Sequence, residues 1–342
     1  MASNDLISTG IPYVDRLLGG HRPGACHGIL GPTGVGKSTL VSMLCAEGAI
    51  ALDRTRSKDS ACWVLFNIEG GMMDALARIL CHAARVPRAA VDRGLQITLP
   101  PTNYQSYELA RKAELPQRNG VVVPERERIA EALQVIHRRL HVVNLGSERF
   151  RHDLSPCRYL AHRIGQLVNM GVTIAGVAID YAGLAVRRSL PDDSTALIGP
   201  RIAQFMLECQ TEIAQRYHCI VWVVHQLKQL LGKRPPTNLV HHRDASDTRH
   251  FGDHLDGCLV LGEHDVHSGC FLLQCTKARD VKKELAPAIL KFDPDFLTIN
   301  ECMDGHIDGQ RQRIWTGPAR NRVNVAEDVL QELLGGRSGD TP

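Results

Sequence analysis

The stretch Gly31-Pro32-Thr33-Gly34-Val35-Gly36-Lys37-Ser38-Thr39-Leu40 fits the pattern G-x-x-x-x-G-K-[ST], and its setting decides how the chain is read. Before it, Cys26-His27-Gly28-Ile29-Leu30 has the composition of a short buried strand. After it, Leu40, Val41, Leu44 and Cys45 recur at helical spacing, so the loop runs into a helix N-terminus. Free backbone N–H groups and the positive end of the helix dipole gather there, which suits a polyphosphate. Gly31, Gly34 and Gly36 let the chain wrap closely around phosphate, with Thr33, Val35 and Thr39 completing the loop. Lys37 reaches the β and γ oxygens, and the Ser38 hydroxyl is placed for Mg²⁺. The expected ligand is ATP with Mg²⁺.

Working outward, short apolar runs alternate with amphipathic stretches: residues 62–68, 140–144, 174–179, 219–224, 257–261 and 270–275. Nearly continuous apolar runs suit strands covered on both faces, which predicts an α/β fold with a mostly parallel, twisted sheet flanked by helices. Ile202, Phe205, Met206, Cys209, Ile213 and Tyr217 fall on one helical face and read as core. Pro100-Pro101, Pro116 and Asn119-Gly120 mark an insertion around 98–124, and 231–250 reads as a second loop. One domain over 1–334 is expected, with 335–342 a disordered tail.

At 342 residues the chain is long enough for a substantial core, and a net charge of +3 marks no nucleic-acid binder by itself. Eleven cysteines without a C-x-x-C pair fit a reducing compartment better than disulfides or a zinc site. The sixteen histidines, with His241-His242 and His250, His254 and His264 the densest, lack partnering carboxylates or cysteines at ligand spacing. The polar start carries no signal peptide and no apolar run approaches a membrane span, so a cytoplasmic protein with no membrane contact is expected.

Phosphoryl transfer to water also needs a metal-anchoring acid, a group that activates or orients the water, and a γ-phosphate sensor. Asp180 closes Gly176-Val177-Ala178-Ile179-Asp180, an apolar run ending in an acid that typifies a Walker B strand and would hold Mg²⁺. Glu69 closes Val64-Leu65-Phe66-Asn67-Ile68-Glu69, where a carboxylate can accept a proton from the attacking water. Gln226 follows Val223-Val224-His225 and can hydrogen-bond the γ-phosphate. Lys277 and Arg279, two apart on a strand edge, share a side and can reach one phosphate, the arrangement that serves ring ATPases as a finger in trans.

With these motifs in this order, the chain resembles the ATPase domain of DnaB-type replicative helicases of the RecA superfamily over most of its length. Ser8 to Gly20 is similar to the family's "TG…xxLD…GG" lead-in, and Val64 to Glu69 to "VLFFSLEM", whose Glu is the catalytic carboxylate. Arg78-Ile79-Leu80-Cys81 and Asp92-Arg93-Gly94 echo its helix and turn. Ile179 to Leu184 resembles "IDYLQLM", His225-Gln226-Leu227-Lys228 "SQLNR", Ser246 to Arg249 "SDLR", and Lys277-Ala278-Arg279 the "K-x-R" pair. The resemblance implies a RecA-like P-loop core that assembles into a homo-oligomeric, hexameric ring and hydrolyses ATP at subunit interfaces. It further implies translocation on single-stranded DNA to unwind duplex during replication, with a separate primase or loader as partner. The collar domain is expected to be absent, the insertion is long, and Gly70-Gly71 replaces a Met-Ser pair. DNA-facing loops after Walker B and after the Gln motif would present Arg187, Arg188, Lys228, Lys233 and Arg234. The alternative reading is a RecA-, RadA- or KaiC-like ATPase acting in recombination or as a regulatory switch; a non-hydrolysing scaffold would have no need of Glu69.

Overall fold

The computed structural model describes residues 6–55, 60–95, 117–118, 121–146, 150, 155–190, 195–227, 243, 245–248, 250–263, 269–279, 287–302, 306–307 and 310–311. Nine strands form one sheet: β1 (Cys26–Gly31), β2 (Ala61–Asn67), β3 (Leu140–Asn144), β4 (Thr173–Asp180), β5 (Ile220–Gln226), β6 (Gly257–Glu263), β7 (Cys270–Ala278), β8 (Ala288–Asp293) and β9 (Thr298–Glu301). Their order is β9-β8-β7-β6-β1-β5-β4-β2-β3, with the six from β6 to β3 parallel and β7, β8 and β9 added antiparallel.

The period-two alternation of the parallel strands divides the core. Ile29, Leu65, Ala178, Val224 and Leu259 face one side, where they meet Leu40, Val41 and Leu44 of α2 (Lys37–Arg54), Ile79 and Leu80 of α3 (Met72–Ala84), and, after α4 (Arg88–Leu95), Ile129 and Ile136 of α5 (Glu125–Arg139). Leu30, Val64, Phe66, Val177, Ile179 and Val223 face the other, against α6 (Pro156–Asn169), α7 (Ala182–Arg188) and α8 (Ile198–Glu208). The chain past α8 continues as a π-helix over Cys209–Gln215, and Ile202, Phe205, Met206, Cys209 and Ile213 are all buried. Being buried on both faces is why the central strands read as unbroken apolar runs.

A short α1 (Pro12–Leu18) precedes β1, and its Tyr13 hydroxyl donates to the Ile299 carbonyl at 3.1 Å, tying the lead-in segment to the far strand β9. The antiparallel β8 and β9 do not stand out in the sequence. They lie at the sheet edge and bury only alternate residues, such as Ala288 and Leu290, with Lys291 exposed. Of the expected insertion, only Gln117–Arg118 paired with Val121–Val122, and the residues leading into α5, are described. The predicted 335–342 tail and most of the 231–250 loop lie outside the described residues. Among the described residues no helix is long and apolar enough to cross a membrane.

Candidate active site

β1 lies between β5 and β6, while the chain leaving it crosses to β2, three strands away. Such a change of direction opens a crevice at the carboxyl ends of parallel strands. The loop after β1 fills that position. Gly34 and Gly36 adopt φ of +84° and +91°, and a Cβ on Gly36 would lie 2.9 Å from Ile299 Cδ1, so residue 36 has neither the backbone nor the space for a side chain. Gly36 also caps α2, and no side chain satisfies the first N–H groups of that helix. Those donors are left for a ligand. Val35 is buried and contributes through its backbone.

Strand alternation then places the acids. Asp180 shares the face of Ala178, Gln226 that of Val224, and Glu69 that of Leu65, and all three neighbours pack against α2. The result is a cleft of about 380 Å³ lined by Thr33, Gly34, Gly36, Lys37, Ser38, Thr39, Glu69, Gly70, Arg78, Asp180, Gln226 and Phe292. The structure thus brings together the expected phosphate loop, Asp180, Glu69 and Gln226. It adds two residues that the sequence does not single out. Phe292 stands on the unexpected strand β8, and Arg78 on α3, where nothing local in the sequence marks the direction of its guanidinium.

Burial drives the electrostatics. Lys37, 8 % exposed, donates to the Pro32 carbonyl at 2.5 Å, and desolvation pulls its pKa down to about 8 against the opposing pull of Asp180 and Glu69. Asp180 is pushed above the ordinary carboxylate range by burial, partly offset by a hydrogen bond from Ser38 and by the charge of Arg78. Ser38 and Asp180 are therefore already in contact. One hydroxyl and one carboxylate suit a Mg²⁺ ion, which takes its remaining ligands from water and phosphate. No group of three or more His, Cys, Asp or Glu that could cage a metal occurs among the described residues. His250 instead pairs with Asp253 at 2.7 Å, and His241, His242 and His264 lie outside those residues.

The turn that carries Glu69 is held from several sides. Asn67 Nδ2 donates to the Gly70 carbonyl at 2.7 Å and to Asn144 Oδ1 at 3.2 Å, while the Ile68 N–H donates to the Asp180 carbonyl at 2.7 Å. Arg188 Nη1 donates to the carbonyls of Ile68 at 3.1 Å and Leu145 at 2.9 Å. This changes the place of Arg188: the chain stays helical through it, and its guanidinium faces the interior rather than standing at a loop tip. Two bonds from a charged donor, each worth about 1.5–3 kcal/mol, would be lost if it swung out to a DNA phosphate. Arg187, in the same last turn of α7, pairs with Asp247 at 2.8 Å. Lys228, Lys233 and Arg234 lie outside the described residues.

Beyond Gln226, Leu227 pairs with Ala245 in an isolated antiparallel bridge, and the Ser246 N–H donates to the Gln226 carbonyl at 2.8 Å. His225, stacked on Phe251 with ring centroids 5.0 Å apart, bonds the Ser246 carbonyl through Nε2 at 2.9 Å. Burial drops its pKa to about 4, so it is a neutral strut at physiological pH.

Lys277 and Arg279 lie at the opposite edge of the sheet. Ala278 pairs with Gly257 at the start of β6, and Asp256 accepts the Cys26 N–H at the start of β1. The length of β1 separates that edge from the phosphate loop, about 16 Å at roughly 3.3 Å per residue. Neither cation reaches the cleft of its own chain. Lys277 Nζ donates to the carbonyls of Gly252 at 2.6 Å and Asp253 at 3.1 Å, and Arg279 pairs with Asp256 at 2.9 Å while its side chain stays 47 % exposed.

No family model and no curated protein matches the sequence. Solved structures do match. The chain superimposes on the isolated ATPase domain of a DnaB-like helicase with a TM-score of 0.58 at 14 % identity, covering 88 % of this chain and 94 % of that one. It also superimposes on a DnaB-like replicative helicase, solved in a study of its interactions with primase, with a TM-score of 0.58 at 15 % identity; the match covers 87 % of this chain but only 62 % of that one. The chain has the RecA-like fold shared by these helicase ATPase domains.

Proposed function

We propose that this chain is the motor core of a DnaB-like ring helicase, which binds MgATP in the cleft after β1, hydrolyses it at subunit interfaces and moves along single-stranded DNA. One observation carries the reading: Lys37, Ser38, Glu69, Asp180 and Gln226 converge on one cleft, while Lys277 and Arg279 sit where only another subunit can use them. Loop N–H groups and Lys37 bind the phosphates, Ser38 and Asp180 hold Mg²⁺, and Glu69 takes the proton from the attacking water. Bound Mg²⁺ neutralises charge developing on the phosphate oxygens. Gln226 contacts the γ-phosphate and passes its position to Ser246 through the backbone bond between them. The deciding experiment is ATPase rate with and without single-stranded DNA, alongside strand displacement on a forked duplex. DNA-stimulated hydrolysis with unwinding supports the helicase, whereas filaments on DNA without unwinding would replace it with a recombinase.

The depressed Lys37 gives this reading a pH signature. In the free protein Lys37 loses its proton above pH about 8, whereas a bound triphosphate favours the ammonium form and raises that pKa. Binding therefore takes up a proton above pH 8. The ATP association constant should be flat below that pH and fall by up to about tenfold per unit above it. Lys37→Arg, charged throughout, should remove the dependence. Titration calorimetry from pH 7 to 9.5 checks this, and an affinity unchanged across the range would mean that Lys37 is fully charged before ATP arrives.

For the DNA contacts, the geometry leaves Lys228, Lys233 and Arg234 as the set to replace, because Arg188 supports the Glu69 turn and Arg187 is paired. Changing all three to Ala should lower the slope of log affinity against log salt by about 2, at roughly 0.7 per lost phosphate contact on a single strand. Basal ATPase should persist. An unaltered slope would place the DNA path on another surface.

A further inference from the structure

We propose that Arg78 reads the γ-phosphate from within the same subunit and so sets the preference of the cleft for a nucleoside triphosphate over a diphosphate. This rests on the cleft being the nucleotide site. Arg78 projects from α3, whose Ala75, Ala77, Ile79 and Leu80 are anchored in the core, so the base of its side chain is fixed. The guanidinium enters the cleft at the Glu69-Gly70 end: Nη2 comes within 3.7 Å of where a Cβ on Gly70 would lie, and its charge is felt by Asp180. That end is where the γ-phosphate must sit, because Glu69 has to adjoin the water that attacks it.

Two further observations point to a ligand. Arg78 Nε is buried yet has no hydrogen-bond partner among the described residues, an arrangement that costs free energy until something accepts that proton. The charges lining this end, Lys37 and Arg78 against Glu69 and Asp180, balance before any nucleotide enters, so they hold no surplus negative charge that would repel a triphosphate. A guanidinium presents paired donors that match two phosphate oxygens and keeps its charge at every working pH, unlike Lys37. A diphosphate ends short of it and leaves Nε without its partner.

The test compares dissociation constants, with Mg²⁺ present, for adenosine 5′-(β,γ-imido)triphosphate and for ADP on the full chain and on Arg78→Ala, Arg78→Gln and Arg78→Lys. In the Ala and Gln variants the triphosphate analogue should bind about ten- to hundredfold more weakly while ADP changes by less than about threefold, as expected for loss of a charge-assisted contact made only to the γ-phosphate. Arg78→Lys should recover part of the difference and keeps a folded reference if the neutral variants are unstable. Equal weakening of both nucleotides, or an unchanged ratio with slower turnover, would overturn the proposal and make Arg78 a support for Asp180 or Glu69. A wild-type chain that binds neither nucleotide would overturn the cleft reading itself, a result separable from failure at Arg78 alone.

Discussion

Arg279→Ala should bind ATP normally and hydrolyse it roughly three to five orders of magnitude more slowly, the range for losing an arginine finger. The prediction follows from position. Arg279 stands at the amino edge of the parallel strands, the length of β1 away from its own phosphate loop, so any phosphate it serves belongs to a neighbour. In the single chain its guanidinium rests on Asp256, and engaging a neighbour requires it to leave or share that carboxylate. The defect should be rescued in trans. Mixing Arg279→Ala with Lys37→Ala, which has a crippled loop but an intact finger, creates some interfaces with both parts working, and turnover should return as subunits exchange. Full activity of Arg279→Ala alone, together with no gain from a verified mixed assembly, would remove the finger and the obligate ring with it.

Glu69→Gln should separate binding from chemistry. The amide keeps the size and hydrogen-bonding reach of the carboxylate but cannot hold the proton of the attacking water, so ATP affinity should stay within about threefold while turnover drops on the order of a hundredfold. Single-turnover hydrolysis with saturating ATP measures the step directly. Because Asn67, Asp180 and Arg188 hold the turn through its backbone, the substitution should leave the fold intact. Retained turnover would assign the base to another group.

Much of this site could be read from the sequence for a physical reason. Parallel strands buried on both faces are apolar throughout, so a polar residue that ends such a run, as Asp180 and Gln226 do, stands at the carboxyl edge where the crevice forms; Glu69, just past its run, follows the same logic. The residues that could not be read depend on where elements pack. Arg78 is a charged residue on an amphipathic helix like many others, and its aim is set by the way α3 docks on α2. Arg188 looks like half of a basic loop doublet, yet the carbonyls that engage it belong to segments far away in the chain. Phe292 carries no such mark because β8 is an edge strand with alternating burial, too weak a pattern to separate from a loop.

The bridge between Leu227 and Ala245 makes the motor modular. Residues 228–244 leave and re-enter the fold at one clasped point, beside the strut formed by His225 and Ser246. Changes of length between the clasped ends cost little, about 0.6 kcal/mol for each doubling of a flexible segment. Such a segment can diverge, or be exchanged for one with another grip on its track, while the engine beneath it is inherited unaltered.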